Sequence, residues 1–146
     1  MKRHESLMLL SREHHEGLIA AQLIKKGAAD YKGMATDFKG KSEYIVQFYY
    51  SHLVPHFQNE ENKLFPHVKE IDKNIDSLII EIIQEHNRIK NYINTGEENN
   101  HTEETLDQLG NLLDDHIRKE ERVLFELIQN ECSESELEKI KNILSE

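Results

Sequence analysis

A ten-residue stretch of this chain returns sixty positions later. His56-Phe57-Gln58-Asn59-Glu60-Glu61-Asn62-Lys63-Leu64-Phe65 aligns with His116-Ile117-Arg118-Lys119-Glu120-Glu121-Arg122-Val123-Leu124-Phe125, with five identities in ten positions. A fainter echo pairs Glu13-His14-His15-Glu16-Gly17-Leu18 with Glu85-His86-Asn87-Arg88-Ile89, each holding a histidine with an apolar residue three positions on. The chain therefore reads as a duplicated helical hairpin.

The spacing of apolar residues supports this. They recur at three and four throughout, no strand-like alternation persists, and only two prolines occur. A first helix is expected from about Glu5 to Lys26, stopping at Gly27 before a polar loop, Asp30 to Gly40. A second begins near Ser42, a potential cap, and ends at Pro66, with Pro55 expected to kink it. A third runs from about Asn74 to Asn94 before Gly96, and a fourth from about Thr102 to Asn130, tolerating Gly110. Ser133 with Glu136 has capping-box spacing and announces a short fifth helix carrying Leu137, Ile140 and Leu144. The fold expected is all-α, an up-down-up-down four-helix bundle over about residues 5–130 with a C-terminal helix over about 133–144, in one domain of 146 residues.

Charge and hydropathy remove several classes of partner. Acidic residues outnumber basic ones, 28 to 18, for a formal net charge of −10, which disfavours gripping a nucleic-acid backbone or an anionic membrane. Mean hydropathy is −0.72, and no apolar run approaches the roughly 18 residues needed to span a bilayer. A lone cysteine, Cys132, cannot form an internal disulfide, and Met1-Lys2-Arg3-His4-Glu5 leads into mixed amphipathic sequence rather than a secretory signal. The cytoplasm is the expected location.

Histidine is the unusual component, at 9 of 146 residues. On a helix, residues four apart share a face, so His56 with Glu60 and His116 with Glu120 each present an imidazole and a carboxylate to one point. Leu109, Leu112, Leu113, Val123 and Leu124 surround the second pair at helical spacing, and Ile79, Ile82, Ile83, Ile89 and Ile93 surround His86, so these polar groups interrupt apolar stripes and face inward. A buried carboxylate needs a partner, and no lysine or arginine is evidently placed to serve Glu120, although Lys63 lies near the Glu60 face. With one inward histidine from the first helix, the set is four histidines and two glutamates. That suits a carboxylate-bridged pair of octahedral-preferring ions better than one tetrahedral zinc.

On the first helix two neighbours compete. The echo with His86 favours His15, while Leu10, Leu18 and Ala21 put His14 on the better apolar stripe; His15 is the expected ligand. His52, one turn before His56, is a candidate fifth ligand or supporting donor, and Tyr49 a candidate hydrogen-bond donor to a bound molecule, with core packing its alternative. Glu61 and Glu121 lie about 100° round their helices from Glu60 and Glu120 and are expected on a solvated face, as are His4 and His101.

The order His, His-x-x-x-Glu, His, His-x-x-x-Glu over about residues 5–130, with the segments HFQNEENKLFPH and HIRKEERVLFELI, resembles the hemerythrin-like (HHE cation-binding) family. The resemblance implies a non-haem di-iron centre that binds dioxygen, nitric oxide or iron itself. His15 and His56 would then serve one iron, His86 and His116 the other, with Glu60, Glu120 and an oxo or hydroxo group bridging, leaving each iron five ligands and one open position. Oxygen-carrying members have a second histidine one turn from the third-helix ligand, where this chain has Ile82 and Lys90. A carrier, sensor or scavenger of a small diatomic is the first reading. A redox enzyme or iron donor acting on nitric oxide, peroxide or damaged iron-sulfur proteins is its alternative.

Overall fold

The computed structural model describes residues 2–26, 37–99 and 101–146. These residues form helices and turns with no strand among them. Helix α1 spans Met8–Ile24 after a short 3₁₀ turn, Glu5–Leu7, capped by the His4 ring. Most of the polar loop expected over 30–40 lies outside the described residues, but its last residues are already helical. Helix α2 starts at Phe38, capped by Asp37, whose carboxylate accepts from the Gly40 amide at 2.7 Å. Ser42 is therefore not the cap; its hydroxyl instead accepts from the His101 amide at 3.0 Å.

Helix α2 passes both prolines. It comprises Phe38–Phe48, a π turn at Tyr49–Leu53, Val54–Asn59, a second π turn at Glu60–Leu64, and Phe65–Val68. Pro55 and Pro66 each stand two residues beyond a π turn. There the i→i+5 register leaves a carbonyl without its donor, so a residue lacking an N–H costs least. The helix accordingly ends at Val68 rather than at Pro66.

Helix α3 spans Lys73–Asn99 and does not stop at Gly96. That glycine is there for packing, since a Cβ would come 2.2 Å from Nε2 of His101, which is buried rather than solvated. Helix α4 comprises Glu103–Lys119, a π turn at Glu120–Leu124, and Phe125–Glu131. The π turns that begin at Glu60 and Glu120 are thus themselves part of the sixty-residue repeat. Helix α5, Glu134–Leu144, carries the expected capping box, with Ser133 Oγ accepting from the Glu136 amide and Glu136 from the Ser133 amide.

The four long helices form a closed cycle of neighbours, α1 against α2 and α4, and α3 against α2 and α4. This is the up-down-up-down bundle, with α5 packed beneath one end. Its core divides along the bundle axis into two apolar clusters. One gathers Leu7, Leu10, Leu64, Phe65, Ile82 and Leu124 with the buried face of α5; the other gathers Ala20, Phe57, Ile89, Leu113 and Ile117. Among the described residues no helix is long and apolar enough to cross a membrane.

Candidate metal centre

Between these two clusters lies a polar layer. On each helix its residues fall at the junction: His14 between Leu10 and Ala20, His56 and Glu60 between Leu53 and Leu64, His86 between Ile82 and Ile89, and His116 and Glu120 between Leu113 and Leu124. Glu60 and Glu120 are fully buried, and the four histidines are at most 4 % exposed.

The π turns explain how two helices hold this layer. In a regular α-helix a residue four positions on has rotated about 40° off the face, so three such steps would lose it. The inward series His56, Glu60, Leu64, Val68 and His116, Glu120, Leu124, Ile128 all remain buried because the π turn absorbs the drift. Spacing by four, sustained for four positions, was the sequence sign of these turns.

Six side chains converge. Nε2 of His56 and of His86 lie 3.4 and 3.2 Å from Glu60 Oε1, Nε2 of His116 lies 3.0 Å from Glu120 Oε1, and Nε2 of His14 lies 2.9 Å from Glu120 Oε2 and 3.8 Å from Glu60 Oε2. Despite this proximity, all four Nε2 atoms and all four carboxylate oxygens lack a hydrogen-bond partner. They form two sets of four, His14 with His56 and His86 with His116, each completed by Glu60 and Glu120 and each with donor atoms within 4.8 Å of one another. Orphaned buried polar atoms cost about 1–3 kcal/mol apiece. Eight in one layer suit cations better than hydrogen bonding.

The first-helix expectation is corrected here. His15 is exposed, and His14 occupies the inward position. The two are about 100° apart on the helix, and the apolar stripe of Leu10, Leu18 and Ala21 decides between them. His52 is on the outside, its ring tilted against Phe48 and 3.7 Å from Glu16, and does not join the layer. Lys63 reaches the Glu146 carbonyl rather than Glu60.

Glu61 and Glu121, expected on a solvated face, are partly buried and turn toward neighbouring histidines. Glu61 Oε2 stands 2.9 Å from His86 Nδ1, and Glu121 Oε2 stands 3.6 Å from His14 Nδ1. Glu13 and Glu85 do the same on the other helices, 2.8 Å from His56 Nδ1 and 2.7 Å from His116 Nδ1. Each helix thus offers a carboxylate to the histidine of the next, α1 to α2, α2 to α3, α3 to α4 and α4 back to α1. Glu13 and Glu85 directly precede inward histidines, and Glu61 and Glu121 directly follow inward glutamates. The doubled Glu-His and Glu-Glu pairs were the available signal. A carboxylate on Nδ1 fixes the tautomer that turns the Nε2 lone pair to the centre and raises its basicity. Glu61→Gln, Glu13→Gln or Glu85→Gln should each weaken cation affinity about 10–100-fold, read by chelator competition.

Without a cation the layer binds protons. Burial and the neighbouring Glu120 raise the Glu60 carboxyl well above its ordinary range. For Glu120, burial is outweighed by His116, Glu60 and His14, which hold its carboxyl well below that range. Two neighbouring buried carboxyls disfavour joint ionisation, so Glu60 and Glu120 titrate as a pair. His14, although disfavoured by burial, is driven up to about 10 by the Glu120 carboxylate. Cations bound to these groups would displace such protons.

In comparison with known proteins, a family model described as the hemerythrin HHE cation binding domain matches residues 6–128. No curated protein and no solved structure gives a significant match.

Proposed function

Since the chain belongs to the hemerythrin HHE cation-binding family, we propose that it holds two iron ions and binds dioxygen or another small diatomic there. One observation carries the reading: eight partnerless donor atoms divide into two sets that share the same two carboxylates. His14 and His56 would serve one ion, His86 and His116 the other, with Glu60 and Glu120 common to both. Imidazole and carboxylate together suit iron. When bound, such a pair supplies an open coordination position and a reversible redox couple.

The protein's own contribution is positional. Outer carboxylates fix the imidazoles, and the apolar clusters above and below exclude water. A cleft of about 210 Å³ between α2 and α3, walled by Tyr49, Phe57, Glu61 and His86, borders the layer at His86. Tyr49 is buried at that cleft, its ring against Phe57 and Tyr50. Nitric oxide added anaerobically to the iron-loaded protein should produce new visible absorption bands that saturate with nitric oxide. An unchanged spectrum would refute the diatomic part of the proposal and leave the metal part standing.

A further inference from the structure

The four outer carboxylates are not equivalent. Glu13, Glu61 and Glu85 hydrogen-bond their histidines, whereas Glu121 stops 3.6 Å short of His14 Nδ1, and that nitrogen has no partner in a residue 2 % exposed. The same Glu121 oxygen that lies nearest His14 is engaged by another donor. Ser11 Oγ donates to this Oε2 at 2.9 Å, and Arg3 Nη2 lies 3.6 Å from the same oxygen while donating to the Glu121 carbonyl at 2.7 Å. Arg3 is itself fixed: Nη1 donates to Gln129 Oε1 at 3.0 Å, and its guanidinium lies 5.4 Å over Phe125, the ring that stacks on His14.

We propose that Ser11, bonded to the Glu121 carboxylate, with Arg3 on the Glu121 backbone carbonyl, keeps Glu121 off His14 and makes the two cation positions unequal, so that the ion between His14 and His56 is bound more weakly than the ion between His86 and His116. The inference rests on the two-iron reading above. Two effects act in the same direction. An imidazole without a partner on Nδ1 has no carboxylate to fix its tautomer, and it is a poorer donor than its three counterparts. The Arg3 cation also lies against the ring stacked on His14, on the weaker side. On the stronger side Lys119 pairs with Glu85, but through Oε2 at 2.6 Å, leaving Oε1 on His116.

The test is an anaerobic titration of the metal-free protein with ferrous iron against a competing chelator. Two equivalents are expected in two steps separated by at least about tenfold, the lower end of what losing such a partner costs. His14→Ala should remove only the weaker step. Ser11→Ala removes the hydroxyl bonded to Glu121 Oε2, frees that carboxylate to reach His14 and should tighten the weaker step, drawing the two together; simple damage to the fold would weaken it instead. Two equivalents in a single step, or no tightening in Ser11→Ala, would overturn the inference and leave the two-iron reading intact. Fewer than two equivalents with iron in excess would overturn both.

Discussion

Glu120→Ala should lower iron content from about two per chain to one or none. Glu120 belongs to both ligand sets, so its loss takes an oxygen from each. It also leaves His116 and His14 without the carboxylate that lies 3.0 and 2.9 Å from them. The bundle itself should survive, because the apolar clusters on either side of the layer do not include Glu120. Far-ultraviolet circular dichroism on the same sample distinguishes lost metal from lost fold. His15→Ala is the matched control and should keep both irons, since that side chain faces solvent, whereas His14→Ala should lose the one between His14 and His56. Full iron content in Glu120→Ala would contradict the shared-carboxylate arrangement.

Stripping the metal should lower the thermal midpoint by on the order of 10 °C. A ligand present at a thousandfold over its dissociation constant stabilises the native state by about 4 kcal/mol. For a chain of this size each kcal/mol moves the midpoint by a few degrees. The same direction follows from the orphaned atoms: without cations, eight buried donor atoms stay partnerless. Differential scanning calorimetry with and without chelator, and again after iron is restored, measures this. Identical midpoints would mean that the layer is satisfied without metal.

The bundle was legible because period and repeat agree. Apolar spacing of three and four located the helices, and the sixty-residue offset placed His56 with Glu60 and His116 with Glu120 on matching turns. Local rules failed where tertiary contacts override them. Gly96 looks like a helix stop, yet it remains helical because the His101 ring lies against it, and Pro66 looks like an end, yet a π turn has already given up the hydrogen bond it would break. Asp37 was missed as a cap because no apolar periodicity begins close behind it, while Ser42 stands just before Ile45.

Within the centre, five of the six expected side chains converge as read, and the sixth was misplaced by one residue. The fainter echo was the reason. Aligned on the apolar residue three positions on, it selects His15; aligned on the preceding acid, Glu13-His14 with Glu85-His86, it selects His14. The outer carboxylates escaped for a related reason. A position about 100° from the inward face looks solvated on a single helix, but in a bundle it is the seam from which a side chain reaches the neighbouring helix. Helical periodicity alone does not say which residue across the seam it meets.

Iron per chain, by mass spectrometry on protein purified from iron-supplemented cells without chelator or histidine tag, tests the central claim most directly. The account predicts close to two. A folded chain carrying no iron, or a full complement of a different metal, would contradict it.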